Sequence, residues 1–300
     1  MALDVTQNLT NNEYSLKTQT QAVAAGSAIG MSATAYTLMD TLKPVTPDIA
    51  KGMAYSMKRL LPEVDTLQNT VKSAEAILEK SGLRRKGVKI HYVDDSVKSL
   101  THLREVLRQT FKNSSFKNTK IANYYEIFKA GANAAFCSEA NEVIISTKNL
   151  YSSVYHELGH AMNANGNIFT KLLQKARCIT PMGISLAAPI ILAVGLLHKP
   201  SNRPNEEKSN KEKTLDFISK NACVLTLASY IPMLAEEGLA SIRGLKHAKK
   251  YVSSSVYKNL KRNYTYAWGT YALAAGIAAV CVDVGIAVAN KIKNKNSSKQ

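Results

Sequence analysis

Long stretches without a formal charge, set among strongly basic ones, constrain this 300-residue chain more than any other feature. Residues 178–198 (CITPMGISLAAPIILAVGLLH) supply 21 uncharged positions, long enough as a helix to cross a hydrocarbon core of about 30 Å. Residues 263–282 give a second run of 20, interrupted by Asp283 and continuing apolar to Ala289. Residues 221–235 give a third of 15, which fits a buried core helix as well as a span. Residues 18–39 are also uncharged but rich in Ala, Gly, Ser and Thr, and read either as a fourth crossing or as a small-residue helix packed on the protein. The expectation is three or four membrane helices in a multi-pass protein, with lipid as one partner.

Between these runs the pattern is that of a folded, water-exposed domain. Residues 48–80 alternate apolar and charged positions at helical spacing, punctuated by Pro44, Pro47 and Pro62, and predict two amphipathic helices closed by Gly82. Gly87 to Val93 (GVKIHYV) predicts a strand, and the Asp/Ser cap of DDSVKSLTHLREVLRQTF a helix after it. A short helix is expected near Ile121 to Lys129. Two short strands are then expected in 132–146, around a polar turn from Ser138 to Glu142, and a helix from about Leu150. The fold class is therefore α+β and mostly helical, with a small sheet. Its expected segments are an N-terminal piece 1–47, a catalytic domain 48–177 and an apolar hairpin 178–236 with polar connector 199–214. A helix and basic loop 237–262, an apolar helix 263–290 and a basic tail 291–300 follow.

The formal net charge of +17 is spread from Lys17 to Lys299, with no arginine-rich helix, aromatic RNA-binding strand or Cys/His finger to read bases. Nucleic acid is not an expected partner; anionic lipid head groups suit diffuse basicity. Cys137, Cys178, Cys223 and Cys281 stand alone, which excludes a dense disulfide framework and a cysteine-based zinc site. The first residues carry Asp4 and no basic segment leading into an apolar one, so a cleaved secretory signal is not expected. Lysine and arginine flanking the spans total ten on each side, so charge bias does not orient the chain. The lack of a signal favours a cytosolic N-terminal half and catalytic face, unless 18–39 acts as a signal anchor.

The chemistry lies in His156-Glu157-Leu158-Gly159-His160. Two histidines at i and i+4 share one helix face and can both bind one Zn2+. Glu157, beside the first ligand, can take a proton from water that the metal acidifies and pass it to a leaving amine. Val154, Leu158, Gly159, Ala161 and Met162 are uncharged, as a helix packed beneath a metal requires. A third protein ligand must come from elsewhere. IPMLAEEGLAS offers Glu236 and Glu237 directly after an apolar run, where a carboxylate needs a partner.

These residues resemble the gluzincin metallopeptidases, in which a HExxH helix is completed by a glutamate on a later helix in a Glu-x-x-Ala-Asp pattern. The resemblance implies Glu237 as third ligand, with Ala240 in register and Ser241 where the family has an aspartate that orients a zinc-binding histidine; Glu236 is the alternative ligand. It is closest to the integral-membrane HtpX-like and CAAX-prenyl-protease-like endopeptidases, whose helical hairpin separates HExxH from the ligand glutamate, as 178–236 does here. It covers residues 150–165 and 178–241. It implies a zincin-type sheet whose edge strand, Glu142 to Ser146 or Ala132 to Cys137, pairs with a polypeptide substrate. An oxyanion helper is sought among Arg243, His247 and Tyr264, while His91, His102 and His198 look unconnected to the site. Two further readings are a soluble zinc peptidase with buried apolar helices and a non-catalytic membrane scaffold with a degenerate site.

Overall fold

A computed structural model describes residues 44–114, 116–177, 190–191, 193–194, 198, 204 and 207–297. The expected span 178–198 lies largely, and 18–39 wholly, outside the described residues. The chain divides into two compact units, a larger one from Thr37–Leu186 with Ala228–Gly269 and a smaller one that includes Ala187–Leu227 and Thr270–Gln300.

The larger unit opens with helices α1 (Pro47–Leu60) and α2 (Leu67–Lys80), each started by a threonine cap. Thr46 accepts from the Ile49 amide and Thr66 from the Asn69 amide, satisfying donors that a helix start otherwise leaves open. Strand β1 (Lys89–Val93) leads to α3 (Val97–Thr110), capped by Ser96, and then α4 (Lys117–Ala130), which ends at Gly131 in the left-handed region, φ 74°. Strands β2 (Ala135–Cys137) and β3 (Glu142–Ser146) complete a three-stranded sheet of order β1-β3-β2. β1 runs parallel and β2 antiparallel to β3, with Tyr92 opposite Ile145 and Phe136 opposite Val143. The strands expected near 87–93 and within 132–146 form at these positions.

Side-chain alternation divides the sheet into two apolar faces. Phe136, Val143 and Ile145 pack with Ala74, Ile77 and Leu78 of α2 and with Val154, Tyr155, Leu158 and Ala161 of α5 (Val154–Ala164). Val93, Cys137 and Ile144 point the other way, onto Leu103, Val106 and Leu107 of α3 and Tyr125 and Phe128 of α4. Burial drives the Cys137 thiol up to about 12, so this cysteine is an inert core filler, as an isolated cysteine should be. β3 is the central strand and every one of its residues is buried. This corrects the expectation for Glu142 to Ser146: that strand has neighbours on both sides and no edge to offer, whereas β2 is an edge.

After α5, a helix α6 is described over 168–177. Helix α7 (Asn210–Lys220) begins with a capping box in which Ser209 and Glu212 satisfy each other's backbone donors. Helix α8 (Ala222–Ala248) then carries the third uncharged run, Pro232 and both Glu236 and Glu237 without a break. Helix α9 (Ser254–Ser297) does the same for the run at 263–282. Among the described residues, two helical segments, Ala222–Ala248 and Ser254–Ala287, are long and apolar enough to cross a membrane, and only 28% of the apolar stretch of each is buried. Val224, Ile231, Val280 and Val284 are each more than half exposed, unlike the apolar residues of a core helix. Within the smaller unit, Asp216 accepts from His198 (2.5 Å) and from Lys208 (2.7 Å), so His198 serves a polar cluster of its own.

Candidate metal centre

Helix α5 places His156 and His160 one turn apart, as i and i+4 spacing dictates, with ring centroids 4.5 Å apart and planes nearly perpendicular. The second wall is α8. The two helices cross with almost no side chain between them: a β-carbon added to Gly159 would stand 2.0 Å from the Ala240 carbonyl oxygen, and one added to Gly244 would stand 2.2 Å from that of Tyr155. Glycine at these two positions lets the backbones approach closely enough for short side chains on α8 to reach the histidines. Tyr264 of α9 anchors the start of α5, donating to the Ser152 carbonyl (2.8 Å) and accepting from the His156 amide (3.1 Å).

Three potential ligand atoms converge. His156 Nε2 and His160 Nε2 lie 2.9 Å apart, Glu237 Oε2 is 3.1 Å from the first, and it is 3.6 Å from the second. Donors each about 2.0–2.1 Å from a tetrahedral zinc stand roughly 3.3–3.4 Å apart, so this triangle needs shifts of only a few tenths of an ångström to receive one. The remaining ring nitrogens are held from behind. Ser241 Oγ lies 3.0 Å from His156 Nδ1, and Glu236 Oε1 lies 2.9 Å from His160 Nδ1. Outer partners of this kind fix the ring orientation of metal-binding histidines.

The geometry thereby separates two glutamates that were equivalent by position. Glu237 faces both Nε2 atoms, whereas Glu236 sits behind His160, where it also accepts from Asn163 Nδ2 (2.9 Å). Arg177, at the end of α6, binds both carboxylates, reaching Glu237 Oε1 at 2.7 Å and Glu236 Oε2 at 3.3 Å. Both glutamates and His160 are buried; a buried charge survives only when it is paired this fully. Arg177 and Asn163 carried no signal of this role in sequence.

Glu157 is 6% exposed, and its Oε2 accepts from the Phe136 amide of β2 at 2.8 Å. Its Oε1 has no hydrogen bond among the described residues. Of the three oxyanion helpers considered, Tyr264 is occupied at the start of α5, and Arg243 donates through Nη1 to the Met162 carbonyl (3.1 Å) near the end of α5, so both position the helix. Among the described residues nothing links His247 to the triangle. His91 and His102 lie on the opposite face of the sheet, with the α3 core.

Burial disfavours a charged His160 and Arg177 adds to that, yet the carboxylates of Glu237 and Glu236 outweigh both and hold its pKa up at about 9. In the metal-free protein this histidine therefore carries two protons below about pH 9. Its stabilising effect on the apoprotein is complete below its unfolded value of about 6.5 and is lost as pH rises through about 9. A metal bound through this ring would have to displace one of those protons. The affinity for a metal held by this ring would accordingly rise about tenfold per pH unit below about 9 and then level off. Calorimetric titrations in buffers of different ionisation enthalpy should show one proton released from this group; affinity independent of pH would contradict the arrangement.

Set against family models, curated proteins and solved structures, the chain gives no match in any of the three. The site therefore rests on its own geometry.

Proposed function

We propose that the chain is a zinc-dependent metalloendopeptidase embedded in a membrane by several helices, cleaving membrane or membrane-proximal polypeptides. The observation that carries this reading is the convergence of His156 Nε2, His160 Nε2 and Glu237 Oε2, each backed by a partner, beside a glutamate of the same helix. Two imidazoles and one carboxylate, with one position left open, make up the donor set of catalytic zinc sites. A zinc ion held there supplies Lewis acidity, polarising a carbonyl and acidifying water.

The chain's own residues supply the rest. Glu157 is the proton acceptor: Oε2 is fixed by the Phe136 amide, and Oε1 takes the proton from water and returns it to the departing amine. β2 is an edge strand, so a polypeptide added alongside it forms main-chain hydrogen bonds and passes beside Glu157. Tyr264, Ser241 and Glu236 position the histidines. Ser241 replaces with a neutral hydroxyl the aspartate of the family that the motif resembles, so it steers His156 without adding charge. Two apolar helices with mostly exposed stretches support the membrane part of the reading, and Glu236 and Glu237 directly follow the apolar half of α8.

The test is metal content and cleavage together. The full chain, purified in detergent, should hold about one zinc at this site, and both His160→Ala and Glu237→Gln should lose it along with casein cleavage. Wild-type protein that takes up no zinc under metal-replete conditions would overturn the reading. Zinc uptake without cleavage of any peptide library would favour a non-catalytic scaffold instead.

A further inference from the structure

The α3 face of the sheet carries a second convergence of metal-binding side chains. His91 projects from β1, His102 from α3 and Glu142 from the start of β3, and one donor atom of each lies within 4.8 Å of the other two. His102 Nε2 stands 2.7 Å from Glu142 Oε1, and the two imidazoles meet edge to face with centroids 4.6 Å apart. Strand alternation puts the cluster on the face opposite α5. His91 shares its side with Val93, and Glu142 shares its side with Ile144; both of those residues pack onto α3, while Val143 and Ile145 pack onto α5. It is therefore separate from the His156 site.

We propose that His91, His102 and Glu142 form a second binding site, for a divalent transition metal of the zinc type. Two imidazoles and a carboxylate favour zinc, cobalt or nickel over magnesium or calcium, which prefer all-oxygen surroundings. The site is partly built already. Glu142 is 5% exposed, a burial that a lone carboxylate does not tolerate, and its position is fixed by the pairing of β3 with both neighbours. Ser99 holds the His91 ring through its carbonyl (3.1 Å) and hydroxyl (3.3 Å) at Nε2. His102 is the exposed member, its side chain 46% exposed, and a turn of its ring would open the close contact with Glu142 to the spacing a tetrahedral ion needs. On that exposed side water completes the coordination. Bound there, the ion ties α3 to β1 and β3 and stabilises the larger unit in proportion to its occupancy.

Zinc stoichiometry of the full chain in detergent, by calorimetric titration and elemental analysis, tests this for wild type, His102→Ala, His160→Ala and the double variant. With its side chain 46% exposed, His102 leaves on removal a gap open to solvent, so water takes its place beside the Glu142 carboxylate, and circular dichroism verifies that the fold persists. The expected counts are two zinc ions for wild type, one for each single variant and none for the double. The site remaining in His160→Ala should lose affinity by at least about a hundredfold when His102 is also removed, the upper end of what loss of even an outer-shell partner costs. If wild type and His102→Ala bind the same number of ions, the second site does not exist. Loss of one ion in His102→Ala, with no loss in His160→Ala, would uphold it while refuting the catalytic site.

Discussion

Glu157→Gln should leave zinc content and thermal stability unchanged and lower peptide cleavage by between about a hundredfold and ten-thousandfold, the range general acid–base groups contribute. The substitution is close to isosteric, and the glutamine carbonyl can still accept from the Phe136 amide, now 2.8 Å from Glu157 Oε2, so the tie between α5 and β2 survives. What is lost is the ability to take a proton. Glu157→Ala is the contrasting variant. It leaves the buried Phe136 amide without an acceptor and should cost about 1–3 kcal/mol of stability in addition to activity. Cleavage by Glu157→Gln at the wild-type rate would remove the base from this reading even if zinc were present.

Much of this arrangement was legible in the sequence because it follows from short-range rules. The alternation in KIHYV and the continuous apolar run in EVIIS mark strands, helical periodicity marks α1 and α2, and the Asp/Ser cap marks the start of α3; the threonine caps of α1 and α2 come from the structure alone. The spacing of His156 and His160 puts them on one face of a helix in any context. Other features depend on where a second helix lies. Glu236 and Glu237 are neighbours on α8, and one residue of helix turns a side chain by about 100°; only the crossing with α5 decides that Glu237 meets both Nε2 atoms and Glu236 the back of His160. The His102–Glu142 contact was hidden for the same reason, since it joins residues forty positions apart through a parallel strand pair. β3 and β2 looked equivalent as substrate strands because an edge is a property of sheet order, which neither segment encodes alone.

Gly159 shows most clearly how the packing carries the chemistry. In sequence it is one of the two unspecified positions of the motif, and nothing local demands glycine, since α5 is an ordinary helix there. In the structure it is the point where α5 touches the backbone of α8, with Ala240 O only 2.0 Å from where a β-carbon would stand and Ala240 Cα at 2.9 Å. Contacts to carbonyl and Cα cannot be relieved by rotating a side chain, so the helices must part. Gly159→Val should therefore destabilise the protein by about 3 kcal/mol or more, the upper part of the range for overpacked cores. The same displacement carries Glu237 and Ser241 away from His156 and His160, because all of them hang on this crossing. A ligand triangle that now matches zinc within a few tenths of an ångström would open by an ångström or more, and zinc should be lost even from protein that remains folded. Gly52→Ala is the control: Gly52 lies in α1 with nothing within 4 Å of an added β-carbon, so alanine should stabilise the chain there by up to about 1 kcal/mol through helix propensity alone. Thermal denaturation and zinc content of the two variants distinguish a general intolerance of substitution from a requirement at the crossing. Wild-type zinc affinity in Gly159→Val would mean that α5 and α8 do not bring the three ligands together.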